Sequence, residues 1–419
     1  MRTHRFLTFS AFAVASGGIA ACGGSGTSGP PPVSTATPLL VAGTVTNYTG
    51  TDTIAHVYQN PTAGQSNYTE TYSFVGVSTL KASASGAAAP FDLNSITTFT
   101  TLQAPPAGTQ KQKSTVDDYE SQTASGATLT LAMAASKTVA VGTDITAGAS
   151  GAGPYAITTT TSTTDTTPFT TGIYPLVTGA VYQEPFAKTT TTSTTDINAA
   201  GQGPATAYVT LGSQTIANDG SYTRTDQFSN GEQLTFVESS NGSAQAQESG
   251  PLFTLAETIG VPVAGNAGDT IPVSQTNQPA TLGPTPAPTA TARAFEAVDW
   301  YPGAALPPQP LSNETVTVKG PVTTLPAACN GALSEPDVVE LDLALTTLNV
   351  SGFYQTETQQ RFTHNALNVC ILRTTTTQNY SITTGLPTNS TTETYTQILT
   401  SVTPGSSSAA VHRATAVAS

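Results

Sequence analysis

GSYTRTDQFSNGEQLTFVESSNG, residues 220–242, decides the fold class of this chain. Tyr222, Arg224, Asp226 and Phe228 alternate with polar neighbours. Asn230 and Gly231 then tolerate the positive φ of a tight turn, Leu234 and Phe236 carry the alternation back, and Asn241 and Gly242 turn it again. Strands place successive side chains on opposite faces, and Asn-Gly fits the two-residue connection between antiparallel strands, so the stretch reads as a β-meander.

The same period of two extends along the chain. Residues 39–45 and 53–58 read as strands separated by a turn at Asn47, Tyr48, Thr49 and Gly50. Ile54, His56 and Tyr58 share a face, which makes His56 a packed or rim residue rather than a ligand. Tyr72 and Phe74 alternate within residues 68–80, and residues 97–102 form a strand that Pro105 and Pro106 terminate. Residues 110–120, with Lys111, Lys113, Asp117, Asp118 and Glu120, carry the densest charge and read as a solvated loop. Later, residues 315–319 form a short strand, and Val339, Leu341, Leu343 and Leu345 alternate with Glu340, Asp342 and Ala344. Tyr354 to Phe362, Leu367 to Ile371 and Tyr395 to Leu399 supply the remaining strands.

Composition agrees. Charged residues make up only 9% of 419, while threonine and serine abound, so strong helix formers are scarce and β-branched residues plentiful. The expected class is all-β, with antiparallel meander or sandwich-like sheets. Within it, residues 154–165 and 185–196 are two copies of one pattern, Pro-aromatic-Ala-x followed by TTTTSTTD, offset by 31 positions. The offset suits a duplicated strand pair, and the threonine tracts read as strands with hydroxyls on both faces rather than as a flexible stalk.

The amino end directs export. Arg2 and Arg5 precede an apolar run from Phe6 through Ile19 that is too short to span a bilayer, and Ile19-Ala20-Ala21-Cys22 closes it. A cysteine directly after two alanines resembles the lipobox of bacterial lipoproteins, a resemblance confined to residues 1–22. It implies cleavage after residue 21, acylation of Cys22, and attachment of the chain to a membrane through lipid. Gly23, which is not aspartate, then points to the outer membrane by similarity to lipoproteins of that leaflet. Residues 22–38 read as a Gly/Ser/Pro tether. Removing Arg2 and Arg5 from 13 basic side chains leaves 11 against 26 acidic ones. So acidic a chain is a poor partner for nucleic acid, and lipid would be its hold on the bilayer.

With Cys22 acylated, Cys329 and Cys370 remain, and an oxidising compartment predicts a disulfide between them. Closing that loop is worth about 4 kcal/mol in the chain-entropy description. The Pro-rich residues 278–293 read as a linker between an N-terminal β domain, 39–277, and a C-terminal one, 294–403, followed by a disordered tail at 404–419. Just after the linker, Phe295, Asp299, Trp300 and Tyr301 gather aromatic faces and a carboxylate, a pattern that can stack on sugars, although such a cluster more often packs a linker onto its domain. No catalytic motif, metal-ligand spacing or cofactor fingerprint appears. The adjacent acids Asp117 and Asp118, or Glu335 and Asp337, are the closest approach to a glycosidase pair. The expected role is a lipid-anchored, non-enzymatic structural or interaction module of the envelope, with an envelope protein or a glycan as partner. The competing expectation is a polysaccharide hydrolase using carboxylates, with a ligand-carrying β container third.

Overall fold

The computed structural model describes residues 37–59, 61, 65–145, 155–184, 188–196, 209–217, 221–229, 231–238, 244–250, 253–259, 273–279, 314–349, 353–380 and 387–405. Apart from one 3₁₀ turn at Ala327–Cys329, the regular elements are strands: β1 (Val45–Tyr58), β2 (Tyr68–Ala82), β3 (Phe91–Gln103), β4 (Thr109–Ser125), β5 (Thr128–Asp144), β6 (Tyr155–Tyr174), β7 (Val181–Glu184), β8 (Lys188–Asp196), β9 (Val209–Ile216), β10 (Tyr222–Phe228), β11 (Gln233–Glu238), β12 (Ala244–Gly250), β13 (Phe253–Ile259), β14 (Val273–Pro279), β15 (Glu314–Pro321), β16 (Val339–Asn349), β17 (Phe353–His364), β18 (Leu367–Tyr380) and β19 (Pro387–Thr403). All belong to one antiparallel sheet. β10 returns as β11 and β11 pairs onward with β12, the expected meander, while Asn230, Asn241 and Gly242 lie outside the described residues.

Most strands pair with their neighbours in sequence, but one pairing joins the two ends of the chain. β1 lies between β2 and β19, matching Val45 to Thr403 and Tyr58 to Asn389. β7 likewise pairs with β15. The expected separation of 39–277 from 294–403 is therefore not a separation of the sheet, because strands from both sides hydrogen-bond to each other. Of the expected linker, only the residues up to Pro279 in β14 lie among those described.

The sheet forks at β6. Its first half, Ile157 to Asp165, pairs with β8, and from there the sheet continues outward through β9 to β14. The two threonine tracts are thus adjacent strands, with Thr161 opposite its repeat equivalent Thr192. The second half of β6 pairs on one side only, with β5. On its other side it meets β7 through side chains, the Tyr182 hydroxyl lying 3.3 Å from the Ile173 amide. Strands β1 to β6, β7 and β15 to β19 consequently curl round one interior, left open as a hydrogen-bonded ring between β6 and β7. Met133, Phe169, Tyr182, Val316, Val318, Leu341 and Leu343 fill that seam. Apolar burial, at about 25 cal/mol per Å², takes the place of the missing backbone ladder there.

Local chemistry accounts for two departures from the sequence reading. Residues 47–50 are not a turn, since β1 runs straight through them. Gly50 and Gly76 on the inner face instead leave room for aromatic rings across the strand pair. A Cβ on Gly50 would lie 2.4 Å from the Phe74 ring, and one on Gly76 would lie 2.0 Å from that of Tyr48. The charged residues 110–120 are likewise not a loop but part of β4, where alternation, shifted by a bulge between Lys111 and Lys113, sends Lys111, Asp118 and Glu120 inward.

Cys329 and Cys370 are bonded, with Cα atoms 5.8 Å apart. The bond pins the segment between β15 and β16 onto the outer face of β17 and β18, where Val338, Phe362 and Val369 bury around it. Cys370 sits near the start of β18.

Candidate functional site: a charged chamber inside the curled sheet

Inward side chains from β1 to β6 and β16 to β19 enclose a cavity of about 740 Å³. This volume falls within the roughly 300–1,000 Å³ typical of small-molecule sites. One end is shut. Leu40, ahead of β1, packs against Leu80 and Leu131, and the Leu39 and Leu40 amides donate to Gln122 Oε1 at 2.7 and 2.9 Å. The opposite end is rimmed by His56, Glu70, Asn379, Asn389 and Thr391. His56 is thus a rim residue: Nε2 lies 2.9 Å from Glu70 Oε1, and its ring stacks on Tyr68 at 4.2 Å.

Charge concentrates between these ends. Lys111 on β4 reaches across the interior to contact Asp52 on β1, and its Nζ lies 3.3 Å from Glu393 Oε1 on β19. Arg373 on β18 meets the same Glu393 oxygen at 3.2 Å and stands 4.8 Å above the Tyr395 ring. Glu357 on β17 accepts a bond from Thr375 Oγ1 at 3.3 Å, and Tyr72 donates to Glu70. Deeper in, Asp118 and Glu120 project from β4 near Arg361 and Tyr174. Carboxylates outnumber cations in this chamber: Asp52, Glu70, Asp118, Glu120, Glu357 and Glu393 stand against Lys111, Arg361 and Arg373.

Burial and mutual repulsion set their protonation. Loss of water pushes Asp118 up to about 6, and burial with help from the Asp118 charge pushes Glu120 up to about 8. Burial also raises Glu357. Asp52 rises to about 6 because burial and the Glu393 charge outweigh Lys111. Glu393 goes the other way, to about 2, since Lys111 and Arg373 together overcome its burial. Among the described residues, the buried oxygens Asp52 Oδ1, Asp118 Oδ1 and Glu357 Oε1 accept no protein hydrogen bond. Buried polar atoms normally find partners, so these oxygens leave the chamber wall with unmet hydrogen-bonding capacity.

The acid pairs singled out from sequence are not brought together. Asp117 points to the outer face, where it accepts from Asn94 at 2.6 Å, while its neighbour Asp118 points inward. Glu335 lies 3.8 Å from His364, and Asp337 is an exposed residue with φ of 52°. Phe295, Asp299, Trp300, Tyr301 and Cys22 lie outside the described residues. Within those described, no group of three or more His, Cys, Asp and Glu residues is placed to hold a metal ion, and no helix is long and apolar enough to cross a membrane. No known protein family, curated protein or solved structure matches this chain.

Proposed function

We propose that this chain is the binding module of an exported envelope lipoprotein, anchored in the outer membrane through Cys22, and that the chamber holds a small ligand rich in hydrogen-bond donors, such as an amino sugar or a polyol. The observation that carries this reading is a cavity of about 740 Å³ walled by more carboxylates than cations, Asp118 and Glu357 among them, and also lined by Tyr48, Phe99 and Tyr395. Hydroxyl or ammonium donors would satisfy the oxygens, and aromatic faces would take the apolar side of the same molecule. Phe295, Asp299, Trp300 and Tyr301 keep their sequence-based reading as a secondary glycan contact.

Two measurements test this reading. Native mass spectrometry of the purified protein against a panel of neutral sugars, amino sugars and diamines should show a one-to-one complex with the wild type that Glu357→Gln weakens at least tenfold. Absence of any complex, or binding indifferent to Glu357→Gln and Asp118→Asn alike, would overturn the chamber as the site. Separately, Cys22→Ser should release the protein from membranes, and its retention after a high-salt wash would defeat the anchor.

One observation favours hydrolysis as a second reading. Glu120, held up to about 8, is protonated at neutral pH and could serve as a general acid. Oligosaccharide cleavage abolished by Glu120→Gln would establish that reading in place of simple binding.

A further inference from the structure

We infer that Lys111 and Asp52 join in an intramolecular isopeptide bond, with Glu393 as the group that moves the protons. Lys111 Nζ touches the Asp52 carboxylate, Glu393 Oε1 lies 3.3 Å from the same nitrogen, and the approach runs over the Tyr72 and Phe99 rings, each 5.8 Å from Nζ. The Asp52 side chain is 1% exposed and that of Lys111 12%. The three groups come from β1, β4 and β19, so the bond would clasp β1 to β4 over the intervening β2 and β3.

The step balances without a co-reactant. Glu393 relays a proton from the Lys111 ammonium to the Asp52 carboxylate, freeing the nitrogen lone pair to attack Asp52 Cγ, and a C–N bond forms. Collapse of the tetrahedral intermediate breaks one C–O bond, and that oxygen leaves as water with the two protons the amine has given up. One passes through Glu393, and an N–H stays on the new amide. Ammonium and carboxylate thus become amide and water with no change of oxidation state. In bulk water the equilibrium opposes this condensation. A held contact supplies effective molarities on the order of 10⁵–10⁸ M, which offsets that cost. Burial raises Asp52 to about 6, which favours the protonated, more electrophilic carboxyl. Burial lowers Lys111, but Glu393 and Asp52 outweigh it and keep the ammonium dominant, so the reaction is slow and needs to occur once per chain.

An internal comparison shows what the enclosure adds. Lys319 and Asp342 also pair, at 3.3 Å, but with side chains 52% and 34% exposed. That pair stays ionic.

The experiment is peptide mapping of the full-length protein after denaturation, reduction and trypsin digestion. The expected result is a branched species containing Asp52 and Lys111, lighter than its two peptides by one water and uncleaved after Lys111. Lys111→Arg keeps the positive charge and should restore linear peptides. Glu393→Gln should leave them linear in a protein whose circular dichroism still reports β-sheet. Free peptides cut after Lys111 in the folded wild type would overturn the bond. A branched species undiminished in Glu393→Gln would overturn the role of Glu393. If Glu393→Gln fails to fold, Asp52→Ala in the same mapping serves the bond itself, because a branch persisting there places the linkage elsewhere and refutes the pairing.

Discussion

The seam and the chamber share the inner face of one sheet and have opposite chemistry. Where β6 and β7 lack a hydrogen-bonded ladder, the face is Met133, Phe169, Tyr182, Val316, Val318, Leu341 and Leu343. Where β17, β18, β19 and β1 are joined by backbone ladders, it is Glu357, Arg373, Glu393 and Asp52. Backbone pairing already holds the second region together, which frees its side chains for charge. The first has only side chains to close it, and so it must be apolar. Stability and function are thereby allotted to different arcs of the same wall.

The largest effect should come from opening the seam. Phe169→Ala removes a side chain that is 3% exposed and should cost roughly 3–5 kcal/mol, read as a fall in the denaturant midpoint. A loss below 1 kcal/mol would mean that the ring is closed by something other than this cluster. Next comes the staple on the outer face. Cys329→Ser with Cys370→Ser should cost up to about 4 kcal/mol, and limited proteolysis of the variant should begin within residues 322–338. Cleavage first at another site would show that the disulfide acts on the unfolded chain and not on this segment.

The chamber should respond with the opposite sign. Glu357→Met replaces a buried carboxylate, one of whose oxygens is unpartnered, by an apolar side chain of similar length. The folded protein should be equally stable or about 1 kcal/mol more stable, while ligand binding falls. A loss comparable to that of Phe169→Ala would erase the distinction between the two arcs.

The strands were legible from sequence because alternation survives wherever one face is apolar, as in Tyr72 and Phe74 or Leu341 and Leu343. It failed on β4. There Lys111, Asp118 and Glu120 face inward and Lys113, Asp117 and Tyr119 outward, so both faces are polar and hydropathy does not distinguish inside from out. The reading of residues 47–50 as a turn failed for a related reason. Gly50 is small to admit the Phe74 ring from another strand, a demand no local window records. The charged constellation was equally hidden, since Asp52, Lys111 and Glu393 meet only once β1 has paired with β19 across the length of the chain. A non-local pairing also defeats a proline-rich stretch as a domain boundary: composition reports that a segment is not a central strand, and is silent on whether the strands either side of it find each other.

The smallest expected effect is on the pH dependence of stability, and it separates the arcs without disturbing packing. Glu120 has its folded-state value raised from 4.5 to about 8, by burial first and by the Asp118 charge second. The folded protein therefore binds this proton more tightly than the unfolded chain does. Its contribution to stability is complete below the unfolded value and is lost as pH rises through about 8. Asp118, raised to about 6, adds a loss of the same sign at lower pH. Glu393, lowered to about 2, contributes in the opposite sense, retaining its stabilisation above 4.5 and losing it only in strong acid. Between pH 5 and pH 9 the melting temperature should thus fall as pH rises, and Glu120→Gln, which keeps the shape and cannot ionise, should flatten that slope by several degrees. Phe169→Ala should lower the whole curve and leave its slope alone, because the seam cluster holds no carboxylate. A slope unchanged in Glu120→Gln would mean that water reaches the inner end of the chamber and that Glu120 titrates there as an ordinary acid.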